Sequence, residues 1–195
     1  MLTELYISNA ELTKLDVSWC TNLQKLYCCG NKLTSLDVSD NTELQLLDCF
    51  GNKLTSLDLS ANTELTHLDC SYNRLEKLDL RKNTKLNWFD CEENYMPDED
   101  FSYLDKDNME ECYTSRQHKV EDIYIDDNGT WYYMKYGEND KNATKLFKYE
   151  GIWYYVNKGI VDFDATTLVK HGNSWYYVNK GKVDFNARTL CKYNG

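Results

Sequence analysis

Cysteine and asparagine, two residue types that can serve chemistry, recur in the first half of the chain at a fixed interval of 21 residues. The recurring residues are Cys28, Cys49, Cys70 and Cys91, together with Asn31, Asn52, Asn73 and Asn94. Thiolates are zinc ligands and nucleophiles, but a zinc site needs ligands that converge on one point. A constant interval instead predicts a repeated architecture, in which both residue types hold structural positions.

Leucines follow the same interval along residues 1–97, which fixes the shape of the repeat. One column of equivalent positions consists of Leu5, Leu26, Leu47, Leu68 and Phe89. Parallel strands lie about 4.8 Å apart, so each 21-residue coil stacks on the one before it, and none buries its apolar face alone. The columns therefore predict a solenoid in which the cysteines point inward as small apolar side chains.

The asparagines are predicted to bond backbone groups at each bend of the coil, and a second set repeats this in the other half of the coil. This second set consists of Asn41, Asn62 and Asn83. The eight cysteines follow no CxxC spacing, so the sequence predicts neither a disulfide framework nor a zinc motif, and the thiols are expected to be mostly reduced.

The stretch "LTHLDCSYNRL", Leu65–Leu75, resembles the leucine-rich repeat. The nested 21-residue form is similar to that of bacterial surface proteins of internalin-like character. The resemblance implies a mainly β fold, a right-handed solenoid of parallel strands over residues 1–97, and a second short strand or bridge on the opposite side of each coil. It also implies that the sheet face binds a protein partner.

Outward positions of the predicted strands supply the residues of that face. The expected partner-binding residues are Tyr6, Tyr27, Phe50, His67, Trp88, Asp48, Asp69 and Asp90. A second acidic column comprises Asp16, Asp37, Asp58 and Asp79. Stacked carboxylates repel each other, so they need a partner. Because the sequence lacks a glycine-aspartate calcium repeat, hydrogen bonds to neighbouring Ser, Thr or backbone groups are expected in place of calcium, with a calcium-stabilised adhesin as the alternative.

Residues 98–119 are expected to cap the open end of the solenoid. The acidic start and the apolar residues Phe101, Tyr103 and Leu104 predict a short capping helix within Asp98–Glu111. An edge strand is expected near Cys112–Gln117.

From residue 120 to residue 195 the period changes to 22, with tryptophans at Trp131, Trp153 and Trp175. An aromatic strand, an Asn-Lys-Gly turn and a Val-Asp-Phe strand predict an antiparallel β-hairpin in each unit. The "WYY" core is similar to the cell-wall or choline-binding repeats of Gram-positive surface proteins. The family's further Gly-Trp pair is replaced by Leu168-Val169-Lys170, which leaves glycan stacking or a purely structural role. The stacking candidates are Trp131, Trp153, Tyr155, Trp175 and Tyr177.

The net charge and the motifs of the sequence limit which classes of function are possible. The net charge is −10, and residues 1–97 carry 9 basic and 15 acidic side chains, which argues against a nucleic-acid partner. The sequence contains no catalytic motif and no apolar run long enough to span a membrane, so we expect a non-enzymatic protein without a cofactor or metal. The two resemblances imply a secreted or cell-surface protein that binds a protein partner and glycan, with its leader outside this sequence. A structural spacer is the alternative.

Overall fold

A computed structural model of the chain describes residues 2–96, 101–172 and 174–183. The chain divides into two compact units, Met1–Lys119 and Val120–Gly195. The described residues are strand and turn almost throughout, and their one helix is the 3₁₀ turn Lys106–Asn108. No helix in these ranges has the length and apolar character needed to cross a membrane.

Six short parallel strands form the sheet of the first unit in chain order. They are β1 (Glu4–Tyr6), β2 (Lys25–Tyr27), β3 (Leu46–Asp48), β4 (His67–Asp69), β5 (Trp88–Asp90) and β6 (Glu111–Tyr113). The first five pair residues 21 apart, as in Leu26 with Leu47, so every repeat is one coil. The predicted parallel-strand solenoid is confirmed.

The interior of the solenoid consists of the leucine and cysteine columns. Leu26, Leu47 and Leu68 are fully buried, and so are Cys49 and Cys70. The expectation of a second short strand or bridge on the opposite side is wrong, because no described residue of that side forms either. Each coil turns there instead, as where the Asn41 N–H donates to the Val38 carbonyl over 3.0 Å.

Asparagine side chains join each coil to the one before it, as predicted. Asn52 is buried, and its Nδ2 donates to the carbonyls of Cys28 and Cys49, each over 3.0 Å. Its Oδ1 accepts the Leu33 N–H over 3.0 Å. Equivalent bonds are made by Asn31, Asn73 and Asn94. One amide per coil therefore satisfies backbone groups that the bend removes from the strand ladder.

In the second asparagine column, only the nitrogen of each side-chain amide forms hydrogen bonds with protein atoms. Nδ2 of Asn62 donates to the carbonyls of Val38 and Asn41, each over 2.9 Å. The buried Oδ1 atoms of Asn41, Asn62 and Asn83 accept no hydrogen bond from protein atoms. Within the described residues, this column therefore bonds backbone carbonyls through its amide nitrogens only.

The predicted capping helix is wrong, although Asp98–Asp100 lie outside the described residues. The predicted edge strand near Cys112–Gln117 is confirmed as β6, which pairs with β5 at an interval of 23 residues, Phe89 with Cys112, and completes a sixth coil. An open strand edge leaves N–H and C=O groups unpaired, and β6 pairs with those of β5. The expected apolar contacts do form, with the rings of Phe101 and Phe89 5.4 Å apart.

The second unit is an antiparallel sheet built from hairpins. Its strands are β7 (Glu121–Ile125), β8 (Trp131–Lys135), β9 (Glu138–Asn139), β10 (Lys145–Tyr149), β11 (Ile152–Asn157), β12 (Ile160–Val161), β13 (Thr167–His171), β14 (Ser174–Asn179) and β15 (Lys182–Val183). The predicted hairpin is confirmed where β11 pairs with β12 across Lys158 and Gly159.

Two left-handed residues make that hairpin turn. Lys158 has a φ of 50° and Gly159 a φ of 78°, the backbone of a type I′ turn. A Cβ on Gly159 would lie 2.6 Å from the Asp140 carbonyl oxygen, so only glycine fits there. The equivalent turn at Lys180 and Gly181 has φ values of 48° and 71°.

The asparagine ladder makes a testable prediction about stability. Asn52→Ala leaves the Leu33 N–H unpaired in the interior and removes one of the two asparagine bonds that the Cys28 and Cys49 carbonyls each accept, so we expect a loss of about 3 kcal/mol in the free energy of unfolding. Urea denaturation measures it. The control Ser56→Ala, on the exposed surface of the same coil, should change that free energy by less than about 0.5 kcal/mol. Equal effects of the two variants would contradict the role of the ladder.

Candidate binding faces

The sheet face is the outer surface of β1 to β6 and the bends that follow them, and it carries exposed aromatic side chains. Tyr6 is 65% exposed, and its ring stacks on Tyr27 with centroids 4.4 Å apart. Phe50 is 40% exposed and meets Tyr72 edge to face at 5.2 Å. The structure therefore brings Tyr6 and Tyr27 together at one end of the face and places Phe50 nearer its middle.

The other end of the sheet face carries a third aromatic pair. The ring centroids of Trp88 and Tyr113 lie 6.5 Å apart, and Nε1 of Trp88 donates to Oε2 of Glu111 over 2.7 Å. His67 lies beside Trp88 in the strand register, and its Nδ1 is 2.8 Å from Oγ1 of Thr66.

Sequence reasoning missed Tyr72 and Tyr113 on this face. Tyr113 lies in β6, within the edge strand that the sequence predicts near Cys112–Gln117, but its place on this face was not recognised. Tyr72 lies outside the alternating strand positions, at a bend where its φ of 52° is left-handed. The signal for Tyr72 was its place directly before Asn73, where the two preceding coils have Gly30 and Gly51.

Three aspartates form a continuous column along the middle of the sheet face, where Asp48 pairs in register with Asp69, and Asp69 with Asp90. Oδ1 of each accepts the backbone N–H two positions ahead, over 3.2, 3.0 and 2.9 Å in chain order. None of the three forms an ion pair with a described Lys, Arg or His residue. Partial burial, and then the charge of Asp69, raise the pKa of Asp48 and of Asp90.

The second acidic column behaves in the opposite way, although its spacing is the same. Hydrogen bonds from the serine two positions ahead lower the pKa values of Asp16, Asp37 and Asp58. Oδ1 of Asp37, for example, accepts both the N–H and the hydroxyl of Ser39, over 3.0 and 2.7 Å. The expectation that neighbouring Ser and backbone groups bond these carboxylates is confirmed.

The cysteine column lies in the interior and offers no nucleophile. Cys28, Cys49, Cys70 and Cys91 are all buried, and the seven cysteines of the described ranges form no disulfide. Burial raises the pKa of Cys28 to about 12 and the pKa values of Cys49 and Cys70 well above the ordinary thiol value. In the ranges described, no group of three or more His, Cys, Asp or Glu residues is placed to hold a metal ion.

In the hairpin unit, the first tryptophan packs against the protein itself. Trp131 lies 5.6 Å from Tyr154 and 5.3 Å from Phe163, measured between ring centroids. It is half-buried against the core that contains Tyr133, which is 1% exposed. The structure therefore assigns Trp131 mainly to packing between hairpins.

The second tryptophan lines a cavity on the other face of the hairpin. Because neighbouring residues of a strand point to opposite faces, Tyr154 joins the core while Trp153 and Tyr155 face away from it. A cavity of about 70 Å³ is lined by Leu146, Trp153, His171, Tyr176 and Val183. Tyr155 is half-buried and pairs in register with Leu146. The side chains of Trp175 and Tyr177 lie outside the described part of the chain.

These features define a class: a leucine-rich repeat solenoid with an aromatic and acidic sheet face, followed by aromatic β-hairpin repeats. The family model for the choline-binding repeat matches residues 146–162 and 164–184. The match covers the two units built around Trp153 and Trp175. The second unit of the chain therefore contains repeats similar to choline-binding repeats.

Among solved structures, the chain is similar to the functional domain of InlJ from Listeria monocytogenes, which is described as including a cysteine ladder. The identity is 44% and the TM-score 0.50, over 54% of this chain and 24% of that one. A leucine-rich repeat protein of Leptospira interrogans (18% identity, TM-score 0.47, 53% of this chain) and the internalin InlF of Listeria monocytogenes (22%, 0.40, 52%) also match.

The chain spans 24%, 28% and 37% of the lengths of these three proteins, in the order given. No curated protein sequence matches it. The similarity to InlJ and the repeat match agree with the two resemblances predicted from the sequence, an internalin-like leucine-rich repeat and choline-binding-like hairpins.

The two acidic columns predict opposite responses to neutralisation. A carboxyl with a raised folded-state pKa favours folding below its unfolded-state pKa, and this contribution is lost as pH rises through the folded-state value. Asp48→Asn and Asp90→Asn should therefore raise Tm at pH 7 by roughly 1–3 °C, with the gain fading toward pH 3. Differential scanning calorimetry across this range measures it.

Asp58→Asn is the matched control, because the pKa of Asp58 is lowered in the folded state. Its carboxylate stabilises the fold above the unfolded-state pKa, and this contribution disappears as pH falls through the folded-state value. We expect Asp58→Asn to leave Tm unchanged or lower at pH 7. A rise of Tm in Asp58→Asn equal to that in Asp48→Asn would contradict this account.

Proposed function

We propose that the chain is part of a non-catalytic bacterial interaction protein that is secreted or held at the cell surface. The sheet face of the solenoid binds a protein partner, and the hairpin repeats bind cell-wall or host polysaccharide. The similarity to InlJ and the choline-binding repeat match support this assignment to the cell surface.

The observation that carries the protein-binding role is the set of three aromatic pairs along one sheet, each of which has at least one exposed ring. Aromatic rings exposed on a fixed scaffold are typical of binding hot spots, since their burial contributes much affinity and costs little conformational entropy. The pairs are Tyr6 with Tyr27, Phe50 with Tyr72, and Trp88 with Tyr113. The predicted contributions of Asp48, Asp69, Asp90 and His67 belong to the same proposal.

The polysaccharide role is supported by the cavity beside Trp153. A tryptophan face next to His171 and Tyr176 is a surface on which a sugar ring can stack, and Trp153 is half-buried and reachable from solvent. Tyr155 and the corresponding Trp175 and Tyr177 of the next unit remain proposed stacking residues.

A structural spacer is the second candidate for the hairpin unit. The observation in its favour is Trp131, whose ring is already packed by Phe163 and Tyr154 of the same chain. If the other units pack in the same way, the repeats extend the protein and bind nothing.

Binding of protein partners to the solenoid is tested with two tryptophan variants on an array of extracellular host and bacterial proteins. Trp88→Ala should weaken binding of any captured partner at least about tenfold, because it removes the largest aromatic side chain of the sheet face. Trp19→Ala is the matched control, since Trp19 is 90% exposed in a turn on the opposite side of the coil. Equal losses in both variants would place the binding site elsewhere.

Polysaccharide binding is tested by retention of the full chain on purified peptidoglycan and on a glycan array. We expect Trp153→Ala to abolish most of the retention, and Ile152→Ala, a change at the exposed neighbouring residue, to preserve it. Tm of both variants is measured so that a folding defect is recognised. Absence of retention for the unchanged protein would support the spacer.

A further inference from the structure

The negative charge of the Asp48–Asp69–Asp90 column is not required by the fold. Each residue accepts a backbone N–H, and Asp69 also accepts the Ser71 hydroxyl over 2.6 Å; an asparagine Oδ1 can accept the same bonds without a charge. The same strand position holds Tyr27 in the coil before the column and Tyr113 in the coil after it. The solenoid therefore accepts uncharged side chains at this position.

The negative charges of the three aspartates are also electrostatically unfavourable in the folded protein. Adjacent strands lie about 4.8 Å apart, so three carboxylates stand side by side at that spacing. None has a basic partner within ion-pair distance in the described part of the chain. By contrast, Glu4 and Glu11 of the first coil do pair, with Lys25 and Lys32. Repulsion of this kind persists where the charge serves something outside the fold.

Aromatic rings close the column at both ends. Tyr27 is the register neighbour of Asp48, and Tyr113 is the register neighbour of Asp90. An aromatic face attracts a cation and also packs on the apolar stem of Lys or Arg. Carboxylates between aromatic rings thus match a partner with several such side chains in a row.

We propose that the sheet face binds a protein segment that presents Lys or Arg side chains about 5 Å apart in a line, as residues spaced by three or four positions do on one face of a helix. This inference rests on the proposed protein-binding function and names the chemistry of the partner. The carboxylates of Asp48, Asp69 and Asp90 pair with the cations, and Tyr27 and Tyr113 cover the ends of the row. An extended strand fits less well, since its like-facing side chains are about 7 Å apart.

Two alanine-based helical peptides of equal charge serve as probes. One carries four arginines along one face, and the other carries the same arginines distributed around the helix. The unchanged chain should bind the one-face peptide at least about fivefold more tightly, measured by fluorescence anisotropy at 50 mM salt, and the preference should weaken at 500 mM.

Two triple variants distinguish the contribution of the sheet-face aspartates to peptide binding from the contribution of the net charge. Asp48→Asn/Asp69→Asn/Asp90→Asn should weaken binding of the one-face peptide about tenfold. Asp37→Asn/Asp58→Asn/Asp79→Asn changes the net charge equally on the other acidic column and should weaken it less than about threefold. Circular dichroism checks that both variants fold.

Equal losses in the two triple variants, or equal binding of the two peptides, would overturn the inference. Calcium at 1 mM that displaces the peptide completely and raises Tm of the unchanged chain would also overturn it, because the column would then be a cation site. The proposed protein-binding function is judged separately. Array binding that is lost in Trp88→Ala but unchanged in Asp48→Asn/Asp69→Asn/Asp90→Asn would keep that function and reject a cationic partner.

Discussion

The side-chain amide that joins consecutive coils is the interaction on which the solenoid depends. At each bend the backbone leaves the strand ladder, and Asn52 or its equivalent accepts one N–H and donates to the carbonyls of two coils. An amide can reach all three only when equivalent residues lie directly above one another, so the interaction fixes the coil at 21 residues. In the sixth coil, which has 23 residues, Gln117 takes over: its Nε2 donates to the Cys91 carbonyl over 2.9 Å and its Oε1 accepts the Met96 N–H over 3.1 Å.

This constraint separates the interior from the surface. Leucines and cysteines fill the inside, where burial makes the thiols inert, and the variable residues of each coil lie on the surface, where the proposed recognition takes place. In the hairpin unit, tight turns between neighbouring strands produce the same division between interior and surface. Type I′ turns set the register, so one face of β11 packs into a core with Tyr154 while the opposite face carries Trp153. In both units the proposed function depends on side chains that the backbone holds in place.

The sequence predicted the features that repeat, because repetition reveals which positions are equivalent. The parallel sheet, the inward cysteines, the asparagine ladder and the hairpin turns were all accessible in this way. Features that occur once were harder to predict: the 23-residue interval breaks the column pattern, so a capping helix was expected and the roles of Tyr113 and Gln117 were missed, although the edge strand near Cys112–Gln117 was predicted. The prediction of a second short strand or bridge was wrong for another reason. On that side, the side-chain amides of Asn41 and Asn62 already bond backbone carbonyls of two consecutive coils. For the candidate site, the alternation of outward-facing strand residues predicted which surface of the solenoid forms the sheet face. Ring contacts such as that between Phe50 and Tyr72 could be recognised only in the three-dimensional structure.

Thiol accessibility tests most directly whether the coils stack in register around a closed interior. The native chain is treated with iodoacetamide at pH 8, and each cysteine is followed by mass spectrometry with and without denaturant. Stacked coils predict that Cys49 and Cys70 stay unmodified until the chain unfolds, whereas the half-buried Cys29 and Cys112 react earlier. Rapid modification of Cys49 and Cys70 in the folded chain would contradict the stacked solenoid.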